Sequence, residues 1–147
     1  MLACAESCTG GLLSSVLTDA PGASVWFAGS VVVYANAAKR DILGVSQSLL
    51  DEKGAVSREA VLAMVRGARG VLRADAAVAI SGVAGPTGGT PQKPVGTVWL
   101  AWEGPEGKEA KRFHFDGDRL AIKGQAVRAA LEGLLLLLGQ GPADPTP

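Results

Sequence analysis

A chain of 147 residues, 48% of them hydrophobic, is long enough for one domain with a sizeable core, and a second folded domain is not expected. Lysine plus arginine and aspartate plus glutamate number 14 each, so no net field draws a polyanion, and no nucleic-acid partner is expected. No apolar run, Leu134 to Leu138 included, approaches the roughly 20 residues that span a bilayer, and no membrane partner is expected either.

In chain order, residues 1 to 6 (MLACAE) read as a short apolar strand. TGG then opens LLSSVLTDA, where Leu12, Leu13, Val16 and Leu17 recur at helical spacing behind Thr9 as N-cap. Val25 to Tyr34 reads as a buried strand, and NAAKRDILG as a short helix closed by Gly44. Ser57 caps a longer helix, SREAVLAMVRGARGVLR, whose Ala60, Met64, Ala68 and Val71 share a face. DAAVAIS (75 to 81) is another apolar strand. VGTVWLAW and KEAKRFHF form two alternating strands joined by a Gly/Pro turn, a hairpin. A last helix runs from about Arg119 to Leu138. The Pro/Gly-rich tail, residues 139 to 147, is expected to be disordered. Strands alternating with helices, plus one hairpin, predict an α/β fold: a three-layer α/β/α sandwich with a mixed, mostly parallel sheet, formed by a domain spanning 1 to 138.

Two loops carry more glycine and polar residues than a connector needs. AESCTGG (5 to 11) lies where a strand hands over to a helix, the place where open α/β sheets bind ligands and where a helix start presents unpaired N–H groups. Ser7 sits at that junction. Gly10 and Gly11 allow close backbone approach to an oxyanion or an anionic group. SGVAGPTGGTPQKPVG (81 to 96) also follows a strand's carboxyl end, and a connection of that length without its own secondary structure is characteristic of a binding loop. It lacks the GK[ST] of a phosphate-binding P-loop and the GxGxxG of a dinucleotide fold.

A serine nucleophile needs a base. The single histidine, His114, lies between Phe113 and Phe115 on a strand and reads as half-buried, so a Ser-His-Asp triad would rest on it alone. Cys8 is a competing nucleophile without an obvious partner. Cys4 and Cys8 have no second pair for a zinc site, so no metal is expected, and two thiols fit a reducing cytoplasm. Lys39 follows Tyr34 at the end of a strand, and a lysine desolvated there has its pKa lowered toward the range of a base.

The segments AESCTGGLLSSVLTDAPGAS, VVVYANAAKRDILGV, GAVSREAVLAMVRGAR and ISGVAGPTGGTPQKPVGTVW, in that order, resemble the CinA C-terminal family of nicotinamide-nucleotide amidohydrolases over nearly the whole chain to Leu138. The resemblance implies a sandwich similar to anticodon-binding domains. It also implies deamidation of nicotinamide mononucleotide to nicotinic acid mononucleotide and ammonia in pyridine nucleotide salvage, without a cofactor. It places the nucleophile on Ser7, and the family's Tyr and Lys on Tyr34 and Lys39. The oxyanion would be held by amides of Thr9, Gly10 and Gly11. Gly85, Pro86, Thr87, Gly88 and Gly89 with Lys93 would enclose the nucleotide, and Arg119 of Gly117-Asp118-Arg119 would contact its phosphate.

Three features depart from the family pattern. The chain opens almost at its first strand, where the family has a preceding helix, so part of a sheet face is expected to be open or covered by a partner. Thr87 replaces the Asp of GPDGG, and Lys123 stands where a second arginine is common. The exposed sheet and the Leu134 to Leu138 run predict a homo-oligomer, and relatives often carry a fused N-terminal domain. The alternative reading is a catalytically weak nucleotide-binding or protein-interaction module.

Overall fold

The computed structural model describes residues 1–139; residues 140–147, which make up all but the first residue of the expected disordered tail, lie outside the described part. Five strands form one sheet: β1 (Leu2–Glu6), β2 (Phe27–Val32), β3 (Ala76–Gly82), β4 (Thr97–Gly104) and β5 (Gly107–His114), in the order β2-β1-β3-β4-β5. β1 runs parallel to both β2 and β3, while β3 with β4 and β4 with β5 are antiparallel. The sheet is mixed, its ladders divided evenly between the two senses.

Five helices complete the layers: α1 (Leu12–Thr18), α2 (Asn36–Leu43), α3 (Gln47–Lys53), α4 (Arg58–Leu72) and α5 (Arg119–Leu137). The side-chain period of two sorts each central strand between two cores. Leu2, Cys4, Val78, Ile80, Val98 and Leu100 pack with α1 and α5. Ala3, Ala5, Ala77, Ala79 and Ala101 pack with α2, α3 and α4. The second face is lined with alanines, which lets Val61, Met64 and Val65 of α4 sit close to the sheet. α4 and α2 are also close: a Cβ on Gly67 would overlap the Leu43 carbonyl oxygen, so only glycine allows this crossing.

The chain leaves β1 for β2 through α1 on one face and returns to β3 through α2, α3 and α4 on the other. The carboxyl end of β1 is therefore a topological switch point, the crevice where open α/β sheets take ligands.

Four local expectations differ. Residues 23–25 form a 3-10 turn, so the second strand begins only at Phe27. α3, capped by Ser46, was not expected, and Val71 at the end of α4 is exposed. Thr9 is not the cap of α1: Gly11 holds that position with φ +102° and no side-chain bond. The Leu13 and Ser14 amides are instead capped by the carboxylate of Glu6, at 2.8 and 3.1 Å. Ser57 and Asp118 do cap α4 and α5, each accepting from the amide three residues on.

Candidate active site

β1 ends at Glu6, and the next amide, that of Ser7, still donates to the Ile80 carbonyl of β3 at 3.0 Å. Alternation continues across this step: Glu6 turns toward α1 and Ser7 toward α2. β2 meanwhile runs out at Val32, and the Val33 amide donates to the Glu6 carbonyl at 2.9 Å, holding residues 33 and 34 beside the end of β1. α2 then brings Lys39 back over this edge.

The Lys39 side chain is 1% exposed, and its Nζ lies 3.0 Å from Ser7 Oγ, 2.9 Å from the Val33 carbonyl and 3.0 Å from the Tyr34 carbonyl. A neutral amine has two N–H groups and one lone pair. The ammonium donates to all three partners; in the neutral amine both N–H groups can stay on the carbonyls, which leaves the lone pair for the Ser7 hydroxyl. Burial pushes the Lys39 pKa below its ordinary value, opposed by the neighbouring Cys8. Among the described residues, no acidic side chain lines the surrounding pocket.

That pocket encloses about 200 Å³ between Ser7, Cys8, Lys39, Asn36, the Ala55–Val56 connection and the end of β3 at Ser81 and Gly82. Ser81 is buried and donates to the Ala55 carbonyl at 2.8 Å, which fixes this wall. Arg119, at the start of α5, closes the mouth by donating to the Gly85 carbonyl at 2.6 Å and to the Tyr34 hydroxyl at 2.9 Å. One turn along α5, the Lys123 ammonium approaches Gly10: a Cβ built there would lie 3.9 Å from it. Burial raises the Cys8 thiol to about 11, against the opposing pull of its own backbone N–H and of Lys39, Lys123 and Arg119, so at neutral pH it is a thiol and not a thiolate.

The structure thus brings Ser7, Lys39 and Arg119 together. Tyr34 meets Lys39 through its carbonyl, while its hydroxyl belongs to Arg119 and its side chain is largely exposed. Thr9 is buried and donates to Glu6 at 2.8 Å. The Gly10 amide is committed to the Ser7 carbonyl at 3.0 Å, which removes it from the expected oxyanion donors. Gly85 is buried beneath Arg119, but Pro86, Thr87, Gly88 and Gly89 are exposed and do not line the pocket. Lys93 lies elsewhere, its ammonium bound to the Lys53 carbonyl at 2.7 Å. His114 is exposed, not half-buried, with Asp116 3.7 Å away, and lies outside the pocket. Glu6, Asn36 and Ser81 were missed from sequence; only Glu6 left a signal, as a charge within an apolar strand.

Among the described residues, no three His, Cys, Asp or Glu side chains converge on a possible metal position, both cysteines are free, and no helix is long and apolar enough to cross a membrane. A larger apolar groove of about 580 Å³ lies at the opposite edge of the sheet, between Leu2, Leu17, Trp26, Leu131 and Leu134. It holds no counterpart of the Ser7–Lys39 contact.

Fold and pocket define a three-layer α/β domain with a buried serine–lysine contact at its switch point. The chain belongs to the CinA C-terminal domain family, whose model matches residues 1–138. Nicotinamide-nucleotide amidohydrolase PncC of Pseudomonas putida is 55% identical over 133 residues, covering 90% of this chain and 83% of that protein. A CinA-like protein of Geobacter sulfurreducens is 50% identical over 133 residues, but there the chain spans only 32% of its relative. Among solved structures, the competence damage-inducible protein A of Klebsiella pneumoniae superposes with a TM-score of 0.90 at 40% identity, over 94% of this chain and 86% of that one. The competence/damage inducible protein CihA of Agrobacterium tumefaciens gives 0.88 at 44% identity, over 94% and 85%.

Proposed function

We propose that this chain is an amidohydrolase that deamidates nicotinamide mononucleotide to nicotinic acid mononucleotide and ammonia, with Ser7 as nucleophile and Lys39 as general base. The observation that carries the reading is the 3.0 Å contact from Lys39 Nζ to Ser7 Oγ, with two backbone carbonyls holding the other donors. The 55% identity to a protein named for this activity supplies the substrate.

The chemistry follows from the geometry. Lys39 takes the Ser7 proton as Oγ attacks the carboxamide carbon. The developing oxyanion calls for backbone N–H donors beside Ser7; the Gly10 amide is already committed to the Ser7 carbonyl, and Thr9 and Gly11 are not part of the pocket lining. The Lys39 proton passes to the leaving nitrogen, and ammonia departs from a Ser7 ester. Water, deprotonated by Lys39, then releases the carboxylate. A pocket of about 200 Å³ is below the range usual for a whole drug-sized ligand, so it holds the amide-bearing ring, and the ribose phosphate extends past Arg119 and Lys123 toward the exposed 86–90 loop. Both cations are placed for a phosphate. Cys8 is set aside as nucleophile by its raised pKa.

Ammonia release from nicotinamide mononucleotide by the purified chain tests the proposal. A chain that binds the nucleotide but releases no ammonia would be the weakly catalytic binding module instead.

A further inference from the structure

Glu6 is a fully buried carboxylate with no cation among its hydrogen-bond partners. An isolated charge in a protein interior is unfavourable by several kcal/mol unless its lone pairs are satisfied, and replacing it with an apolar residue would ordinarily be neutral or better. Here four donors converge on it. Thr9 Oγ1 and the Leu13 amide reach Oε1, each at 2.8 Å; the Ser14 amide and Ser30 Oγ reach Oε2 at 3.1 and 3.2 Å. All four can donate at once, the set a carboxylate accepts and a neutral amide of the same shape does not.

A helix cap alone would not need this. Ser46, Ser57 and Asp118 cap α3, α4 and α5 by accepting one helix amide each, Ser57 from a buried position. The additional bonds of Glu6 run to the two segments that must meet for catalysis. Thr9 lies in the turn that carries Ser7, and Ser30 lies on β2, the strand that leads directly into Val33 and Tyr34, whose carbonyls grip Lys39. The Glu6 carbonyl adds a third tie by accepting from the Val33 amide at 2.9 Å.

We infer that Glu6 is a positioning residue that sets the Ser7–Lys39 distance, its buried carboxylate clamping the nucleophile's turn to the strand that presents the base. It touches neither the reacting atoms nor Lys39. The inference rests on the serine–lysine reading above, and its consequence is kinetic: loosening this clamp misaligns two groups already in contact, a kind of error that lowers rate by up to about a hundredfold without removing a substrate contact. Glu6→Gln keeps the shape but turns an N–H₂ toward the Ser14 amide, so a donor faces a donor there, and the Ser30 hydroxyl must turn from donating to accepting.

The test measures Ser7 reactivity without relying on the natural substrate. A fluorophosphonate forms a bond from phosphorus to Ser7 Oγ with loss of fluoride, the hydroxyl proton going to Lys39, and Ser7→Ala gives the blank. Glu6→Gln is expected to label roughly tenfold to a hundredfold more slowly per folded molecule, and to lower kcat on nicotinamide mononucleotide by a similar factor with KM within about threefold. Ser30→Ala, which removes one leg only, is expected to label more slowly by a smaller factor, and the double variant to be no slower than Glu6→Gln alone. A residue that only stabilised the fold would lower Tm and leave the labelling rate of folded protein unchanged; that result overturns the inference. If Glu6→Gln does not fold, Ser30→Ala decides, and labelling at the wild-type rate overturns the inference equally. A wild type that labels at Ser7 yet releases no ammonia from the nucleotide would remove the proposed substrate and leave the role of Glu6 standing.

Discussion

Lys39 Nζ and Ser7 Oγ lie 3.0 Å apart although 32 positions separate them in the chain. The contact forms because β1 and β2 end side by side and α2 folds back across their carboxyl edge. Removing the hydroxyl removes the proposed nucleophile and little else, since Ser7 is held in the sheet by its backbone amide. Ser7→Ala is expected to abolish ammonia release while its circular dichroism and its affinity for nicotinamide mononucleotide stay near wild type. Cys8→Ala is expected to retain most activity. The reverse pattern in the same assay would move the nucleophile to Cys8.

The role of Lys39 fixes the direction of the pH dependence. Its pKa is lowered from 10.5, so the free amine is present at lower pH than on an exposed lysine. kcat/KM is expected to rise with pH through the folded-state Lys39 pKa, and this acid limb should lie below 10.5. Lys39→Met should lose about two to four orders of magnitude and the limb with it. Lys39→Arg should not rescue, because a guanidinium remains protonated and has no lone pair to offer. The stability linkage has the same origin. Between the folded and unfolded pKa the unfolded chain binds the extra proton, so the contribution of Lys39 to stability is present above 10.5 and is lost as pH falls through the folded value. Urea midpoints of wild type and Lys39→Met, compared across that window, measure it.

Much of this architecture was legible because its signals are local. The continuous apolar run Ala76 to Ile80 and the apolar stretch Val98 to Trp102 mark buried strands, and Ser57 and Gly44 punctuate their helices as local chemistry requires. α3 was missed because a seven-residue helix offers too few turns for a periodic signal, with Ser46 as its only marker. The site was legible only in its parts. Ser7 and Lys39 could be named, but no sequence rule states that Tyr34 meets Lys39 by its carbonyl, or that Lys93 turns outward to Lys53. Glu6 was missed for a different reason: a strand-end charge ordinarily points to solvent, and only the neighbouring α1 and β2 donors make it an interior residue.

Gly67→Ala tests how closely the site depends on helix packing. Alanine gains up to about 1 kcal/mol of helix propensity over glycine. Against that, its Cβ would overlap the Leu43 carbonyl oxygen, a backbone atom that cannot move alone, and overpacking of this kind costs about 1–3 kcal/mol or more. The clash wins. Tm is expected to fall by several degrees in a thermal melt. Because the displaced helix is the one that carries Lys39, kcat of the folded fraction should fall as well, which distinguishes this site from a crowded glycine remote from α2.

Arg119 separates substrate recognition from catalysis. Its guanidinium already donates to the Gly85 carbonyl and the Tyr34 hydroxyl, and the planar fork has further N–H groups to offer a phosphate. A hydrogen bond to a charged partner is worth about 1.5–3 kcal/mol, which corresponds to roughly tenfold to a hundredfold in affinity. Arg119→Ala is therefore expected to raise KM for nicotinamide mononucleotide by about that factor with a much smaller change in kcat. Loss of the Gly85 and Tyr34 bonds would also loosen the pocket mouth, and that effect would weaken every substrate alike. Nicotinamide riboside, which has the same amide and ribose but no phosphate, tells the two apart. If Arg119 binds phosphate, wild type should strongly prefer the nucleotide to the riboside, and Arg119→Ala should erase most of that preference while changing the riboside KM little. Arg119→Lys should recover only part, since a compact ammonium cannot reach Gly85, Tyr34 and a phosphate together. An equal rise in KM for both substrates would make Arg119 a latch of the mouth and transfer the phosphate to Lys123.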